Sequence, residues 1–552
     1  VIVFSVTLTH AQEAAEQEQA ALFSESRFPS ATTCRTCHPD HYREWSVSAH
    51  AYAQMSPVFN AMHAKIMKLT NGTNGDFCIR CHTPVGMNLN EPEVMSNMDR
   101  HPTSREGVTC IVCHRLKNPY GKVSGRLAIV EGDLFAPVYG PTDNRELKRV
   151  LDSGDYNVNT ERGKAGRAIH TDVLPLEQMT TSGFCATCHD VNLVNGFRLE
   201  EAFSDFKTSP AAKQGISCQD CHMGKTPGKA EGYNIAPAAI IGGEETQPRK
   251  RTNHMFAGPD YSIIHTGLFP HNTDAAEMAT IREWLTFDVE AGWGTDAFED
   301  TVAADFEFPE HWQSRDDRYD ARDIIEDNLQ LLKEIEQQRL QVLQAGYQLG
   351  EVVVDKVNQG EIKFKIEVKN GTNGHSVPTG FDAERVVFLR VTVTAAHGKQ
   401  VFQSGDFDPN GDLRDSHSLY VHNGELPLDK YLFSLQSRFV VRMLRGGERE
   451  QVLAVNYSPS PLPFLRPSTS STVLLGRPVG ARKHRQVIPP LRSMWPQYKV
   501  ERNELIGSVP PYQLNVKIIA GMVPVNLIHE IQDVGFDYFM SPKDVAKGVL
   551  AG

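Results

Sequence analysis

Cys34-Arg35-Thr36-Cys37-His38 is the first of five copies of one pentapeptide, C-x-x-C-H. The others are Cys78-Ile79-Arg80-Cys81-His82, Cys110-Ile111-Val112-Cys113-His114, Cys185-Ala186-Thr187-Cys188-His189 and Cys218-Gln219-Asp220-Cys221-His222, and together they use all ten cysteines. Two thiols one helical turn apart can bond the two vinyl groups of one porphyrin, and the histidine that follows then faces the iron; this is the attachment spacing of c-type haem. The five motifs predict five covalent haems c, anchored by Cys34, Cys37, Cys78, Cys81, Cys110, Cys113, Cys185, Cys188, Cys218 and Cys221. His38, His82, His114, His189 and His222 become the proximal iron ligands.

Two competing chemistries fail on this pattern. Tetrahedral zinc needs four ligands, so C-x-x-C units would have to pair, and five do not pair evenly. Disulfide geometry is set by the fold, which gives no reason for five identical local spacings.

Working outward from the motifs, residues 30–270 contain every cysteine, many glycines and prolines, and few long apolar periods. Porphyrins would supply much of the buried apolar surface there, so only short helices and ordered loops are expected. An internal repeat is also visible: Cys110 follows Cys78 by 32 residues and Cys218 follows Cys185 by 33. That matched spacing predicts two two-haem modules, with the first motif standing alone.

From about 275 the pattern changes. Asp274 to Asp288 reads as one helix and Asp320 to Leu349 as a long amphipathic one, with Ile325, Leu329, Leu332, Ile335, Leu340, Leu343 and Tyr347 facing a core. After Gly350, strands follow at 352–354, 362–368 and 386–393, with glycine-rich turns between them, then a proline-rich stretch at 459–467. The tail mixes a strand at 514–519 with helices at 524–532 and 542–550. The expected fold class is α+β multidomain: a mostly helical and irregular multihaem domain followed by a β-sandwich-like domain. The expected divisions are a signal-peptide remnant at 1–11, the haem domain at 12–272, a helical connector at 273–349 and a β-rich domain with a helical tail at 350–552.

At 552 residues the chain exceeds what one core serves. Its apolar start, ending Thr9-His10-Ala11, reads as the end of a secretory signal, and covalent haem attachment takes place outside the cytoplasm, so a periplasmic or extracellular location is expected. A net charge of -12 argues against nucleic acid, and no apolar run is long enough to span a membrane. Redox partner proteins and self-association are the expected partnerships.

The sixth coordination position decides whether a haem iron carries electrons or performs chemistry. Five of the 21 histidines belong to the motifs, leaving sixteen. His50 lies too near its own motif's proximal side and is expected to reach a neighbouring haem. His375 sits in a loop stiffened by Pro378 that could project the imidazole into the haem domain; His254 and His170 are similar candidates. His63, His101, His265 and His271 compete for the fifth place, with His63 chosen. His41, His397, His484 and His529 read as ordinary polar residues. Asp406, Asp408, Asn410 and Asp412 resemble the start of a calcium loop, but position twelve is His417, and a turn between strands explains the pattern better.

The stretches CRTCHPDHYREWSVSAHAYA at 34–53, DFCIRCHTPVG at 76–86, EGVTCIVCHR at 106–115, FCATCHDV at 184–191, GISCQDCHMG at 215–224, RTNHMFAGPD at 251–260 and NGTNGHSVPTG at 370–380 resemble the multihaem cytochromes of the cytochrome c-554 type. The resemblance spans roughly the first 400 residues and fades in the C-terminal third. It implies low-spin, bis-histidine haems stacked for electron transfer, with His50 and His375 as distal ligands. Relatives of that type include enzymes acting on nitrogen and sulfur oxides, so the resemblance leaves room for a multihaem oxidoreductase with one five-coordinate haem. No C-x-x-C-K motif, the mark of lysine-ligated catalytic haems, is present. A conducting extracellular filament is a third reading.

Overall fold

The computed structural model describes residues 27–116, 127–192, 198–263, 272–382, 384–416, 418–442, 448–450, 470–472, 477–479 and 481–551. The start at 1–11, His265, His271, His417 and the stretch 459–467 lie outside these residues.

The cysteine-bearing region is built of short helices: α1 Ala31–Arg35, α2 Pro39–Ser46, α3 Pro57–Leu69, α4 Ile79–His82, α5 Cys110–His114, α6 Ser182–Cys185 and α7 Cys218–His222. Proline opens α2 and α3, where a missing N–H costs nothing, and the Ser56 hydroxyl caps α3 by accepting from the Phe59 N–H. Immediately after the fourth motif, β1 Val191–Asn192 pairs with β2 Arg198–Glu200.

The connector departs from the single helix expected over 274–288. Two helices stand there, α8 Thr273–Met278 and α9 Ile281–Trp284. Ala279 is extended, and Thr280 and Glu283 form a capping box that restarts the chain. The long helix α10 runs Arg315–Gly346, capped by Ser314, with Asp316 and Asp317 complementing its N-terminal dipole. It stops short of the expected Leu349 because the chain passes directly into a strand at Tyr347. Ile325 is fully buried among Trp284, Phe287, Trp293 and Trp312, whereas Leu340, expected on the same face, is 44% exposed.

The strands that follow are β3 Tyr347–Val357, β4 Glu361–Asn370, β5 Val386–Thr394, β6 Gln400–Ser404, β7 Ser493–Met494, β8 Gln497–Glu501 and β9 Gln513–Gly521. One sheet joins β3, β4, β7 and β8; a second has the order β6-β5-β9. Along β4 the side chains alternate, with Ile362, Phe364, Ile366 and Val368 inward and Glu361, Lys363, Lys365 and Glu367 outward. The inward set shares one core with Val387, Leu389, Val391 and Val393 of β5.

Beyond β9, helices α11 Val525–Ile531 and α12 Pro542–Ala551 return to the haem region. Leu527, Ile528, Ile531, Val545 and Val549 pack with Val58, Ala61 and Ile66 of α3. Each Val, Leu or Ile side chain among these, fully buried, contributes about 1.5–3 kcal/mol. The Tyr538 hydroxyl, also buried, donates to the Met55 carbonyl at 2.9 Å. The C-terminal end of the described chain therefore stabilises α3 and the segment that leads into it.

Candidate functional site

The motif helices surround one continuous cavity of about 1400 Å³, and its wall carries all ten cysteines and all five motif histidines. His50, His63, His170, His254 and His375 line it too. His375 arrives from the loop between β4 and β5, so the β-rich region closes part of this wall. The ten thiols form no disulfide.

Each motif histidine is held by its Nδ1. The Nδ1–H groups of His38, His82, His114 and His222 donate to the carbonyl oxygens of Ala238, Ala53, Tyr139 and Ala257 at 2.7, 2.8, 2.8 and 2.8 Å. A carbonyl can only accept, which fixes the tautomer and leaves Nε2 as the free lone pair, as metal-ligating histidines require. His189 differs: its Nδ1 pairs with the Glu200 carboxylate at 3.0 Å. Burial works against charge on His189, but Glu200 overcomes it and raises the imidazole to about 9.

The remaining histidines fall into distinct arrangements. His50 and His189 have ring centroids 6.2 Å apart, and the His222 and His375 rings are nearly parallel at 6.4 Å. His254 donates from Nδ1 to the Thr252 carbonyl, and His375 does the same to its neighbour Ser376. His63 is reversed: Nε2–H donates to the Glu93 carbonyl at 3.0 Å, while Nδ1 is buried with no hydrogen-bond partner. The Phe59 ring lies parallel to both His82, at 3.6 Å, and His63, at 6.1 Å. Burial lowers His50 and His254 to about 3 and His63 and His170 to about 4. All four are neutral imidazoles at neutral pH, the ligating form.

His101 does not reach the cavity wall; it caps the short helix Pro102–Arg105 ahead of the third motif, its Nδ1 accepting from the Thr103 N–H. His397, His484 and His529 are exposed. His41 reads as an ordinary polar residue in sequence, yet it lines the cavity with its ring 4.7 Å from that of His254. Its position three residues after His38, on the adjoining turn of helix, is the signal that would have found it.

The motifs neighbour one another only in part as their spacing predicts. The Cys34 and Cys110 thiols are hydrogen-bond neighbours, as are Cys81 and Cys188, and Cys185 and Cys218. The fourth and fifth motifs do adjoin. The first, expected to stand alone, adjoins the third, and the second adjoins the fourth. Cys113 of the third also couples electrostatically to Cys185 and Cys188, so the fourth motif is the junction. The physical reason lies in the backbone: Trp45 Nε1 donates to the Val108 carbonyl at 2.9 Å and the Val108 N–H donates to the His50 carbonyl at 3.0 Å, which ties the first motif's segment to the third.

The donor set fits haem on independent grounds. The Nε–H groups of Arg115, Arg251 and Arg385 are buried without partners, and all three residues lie on the cavity wall. Buried donors of this kind call for an acceptor, and the carboxylates of a porphyrin supply one. The calcium-like loop is differently committed. Asp406 pairs with Arg414, and the Asp408 carboxylate accepts from the Asn410 and Asp412 N–H groups and the Ser418 hydroxyl. Those carboxylates build a turn.

Residues 33–115 match the family model of cytochrome c554 and c-prime. No curated protein matches the sequence. Among solved structures, a penta-heme cytochrome c552 from Thermochromatium tepidum is similar, with 17% identity, 91% of this chain and 94% of that chain covered, and a TM-score of 0.47.

Proposed function

We propose that this chain, a multihaem c-type cytochrome, is a five-haem electron carrier working outside the cytoplasm, with most of its irons held between two histidines. The observation that carries the reading is the pair of imidazole separations, 6.2 Å for His50 and His189 and 6.4 Å for His222 and His375. A metal–imidazole bond is about 2 Å long, so two rings on opposite sides of one metal stand roughly 6 Å apart. Haem, when bound, supplies reversible one-electron chemistry. The chain's own residues do the rest: the cysteines anchor, the Nδ1 hydrogen bonds aim each proximal Nε2, and the apolar walls exclude water.

His170 and His254, which line the same cavity wall as His38 and His114, are assigned to the first and third motifs. His63 is assigned to the second motif through its partnerless Nδ1. A second reading, an oxidoreductase with an open coordination position, finds its support at that same motif, where Phe59 stacks on His82 and the His63 Nε2 is spent on Glu93.

Electron paramagnetic resonance of the oxidised holoprotein tests the assignment. A purely low-spin ferric spectrum is the expected result, with His50→Ala and His375→Ala each adding one high-spin centre. A high-spin component in the unaltered protein overturns the pure carrier in favour of the oxidoreductase.

A further inference from the structure

We propose that Glu200 is a positioning residue for His189 that holds one haem of the five at a lower reduction potential than its neighbours. This deepens the reading above and rests on His189 being an iron ligand. Four proximal histidines give their Nδ1–H to neutral backbone carbonyls; His189 alone gives it to a carboxylate, at 3.0 Å. A charge-assisted hydrogen bond is roughly twice as strong as a neutral one, and an outer partner of this kind makes the imidazole a stronger donor to its metal. A stronger donor favours the ferric over the ferrous state, which lowers the potential.

The carboxylate is built into place. Glu200 ends β2, and Val191, two residues past the fourth motif, is its cross-strand partner, so motif and carboxylate belong to one hairpin. On the other side the loop after β4 closes over it: a Cβ at Gly380 would stand 3.4 Å from Glu200 Oε1, and the Glu201 N–H donates to the Gly380 carbonyl at 3.4 Å. The tuned centre is also the junction, with Cys81 and Cys218 as thiol neighbours of Cys188 and Cys185. Glu200 therefore sets the height of the step at the branch point. The step itself is one electron in from a reduced partner protein and one electron out to an oxidised partner protein, with no bond made or broken.

The experiment is a potentiometric titration of the holoprotein and of Glu200→Gln, which keeps size and an accepting oxygen but removes the charge. The expected result is that one of five midpoints rises by a factor of ten or more in its one-electron equilibrium, about 59 mV, while the others move less. Five unmoved midpoints, or five moved equally, in a variant with full haem content overturn the proposal. A purely structural role for Glu200 would lower thermal stability and leave the midpoints in place. The ligand reading is tested separately, by haem content and by the low-spin spectrum of the unaltered protein.

Discussion

A Cβ at position 107 would stand 2.5 Å from the carbonyl oxygen of His50. Gly107 holds a φ of +59°, which a side chain adopts only under strain, and it lets Val108 follow at once with its N–H on that same oxygen. The close approach anchors the backbone of a residue whose ring faces His189. Gly107→Ala is expected to cost about 1–3 kcal/mol from the backbone conformation alone, with a further loss as His50 is pushed away. Denaturant titration reads the first effect; a new high-spin signal from one haem reads the second.

Arg485 ties the loop after β4 to the segment between the fourth and fifth motifs. Its Nη groups take both oxygens of Asp205 at 2.8 and 2.7 Å, and its Nε donates to Asp382, whose side chain is fully buried. Thr379, in the loop that carries His375, donates to the same Asp205. Arg485→Ala is expected to cost about 3–5 kcal/mol because it strips the cation from buried carboxylates. Arg485→Lys recovers only part, since an ammonium cannot make the planar fork. Guanidinium midpoints check both variants, and loosening of the His375 loop appears as partial high-spin character at the fifth motif.

The attachment sites were legible because covalent chemistry demands a fixed local spacing, and β4 was legible because Ile362, Phe364, Ile366 and Val368 keep a strict period of two. The neighbour order of the motifs was legible only for the fourth and fifth. Loops decide it, and the contact of Cys34 with Cys110 depends on hydrogen bonds through Trp45 and Val108 that no spacing encodes. The break between α8 and α9 was written in the sequence, as Thr280 three residues before Glu283, but the apolar period across it obscured the capping box. Glu200 carries no sequence signal at all: its role follows from a hairpin that turns it back onto His189.

The connector contains a pH-sensitive pair. His311 Nδ1 lies 3.3 Å from Glu283 Oε1. The hydrogen bond from His311 holds Glu283 at about 2, and Glu283 in turn raises His311. The carboxylate's contribution is present above its unfolded value near 4.3 and is lost as pH falls toward about 2; the imidazole's is complete below its unfolded value near 6.5 and is lost as pH rises past its raised folded value. The pair therefore contributes most between about pH 4.3 and about pH 6.5. Both side chains are about one-third exposed, so screening limits the effect to under ~1 kcal/mol. Melting curves of His311→Gln against the unaltered protein should differ most inside that window and converge on either side of it.

The second motif turns on which nitrogen of His63 is free. With Nε2–H donating to Glu93, the lone pair sits on Nδ1, which is buried and has no partner; an orphaned buried acceptor costs about 1–3 kcal/mol unless something binds it. An iron would. His63→Ala is then expected to add one high-spin centre and to leave the His50 and His375 centres low-spin. His63→Gln, which can still donate to Glu93, is expected to add the same centre while retaining more stability, because it restores the hydrogen bond but offers no imidazole. If neither variant changes the spin state, the second motif's iron draws no ligand from His63. Phe59, stacked on His82, then borders an open coordination position, and binding of cyanide or azide to that one centre would follow.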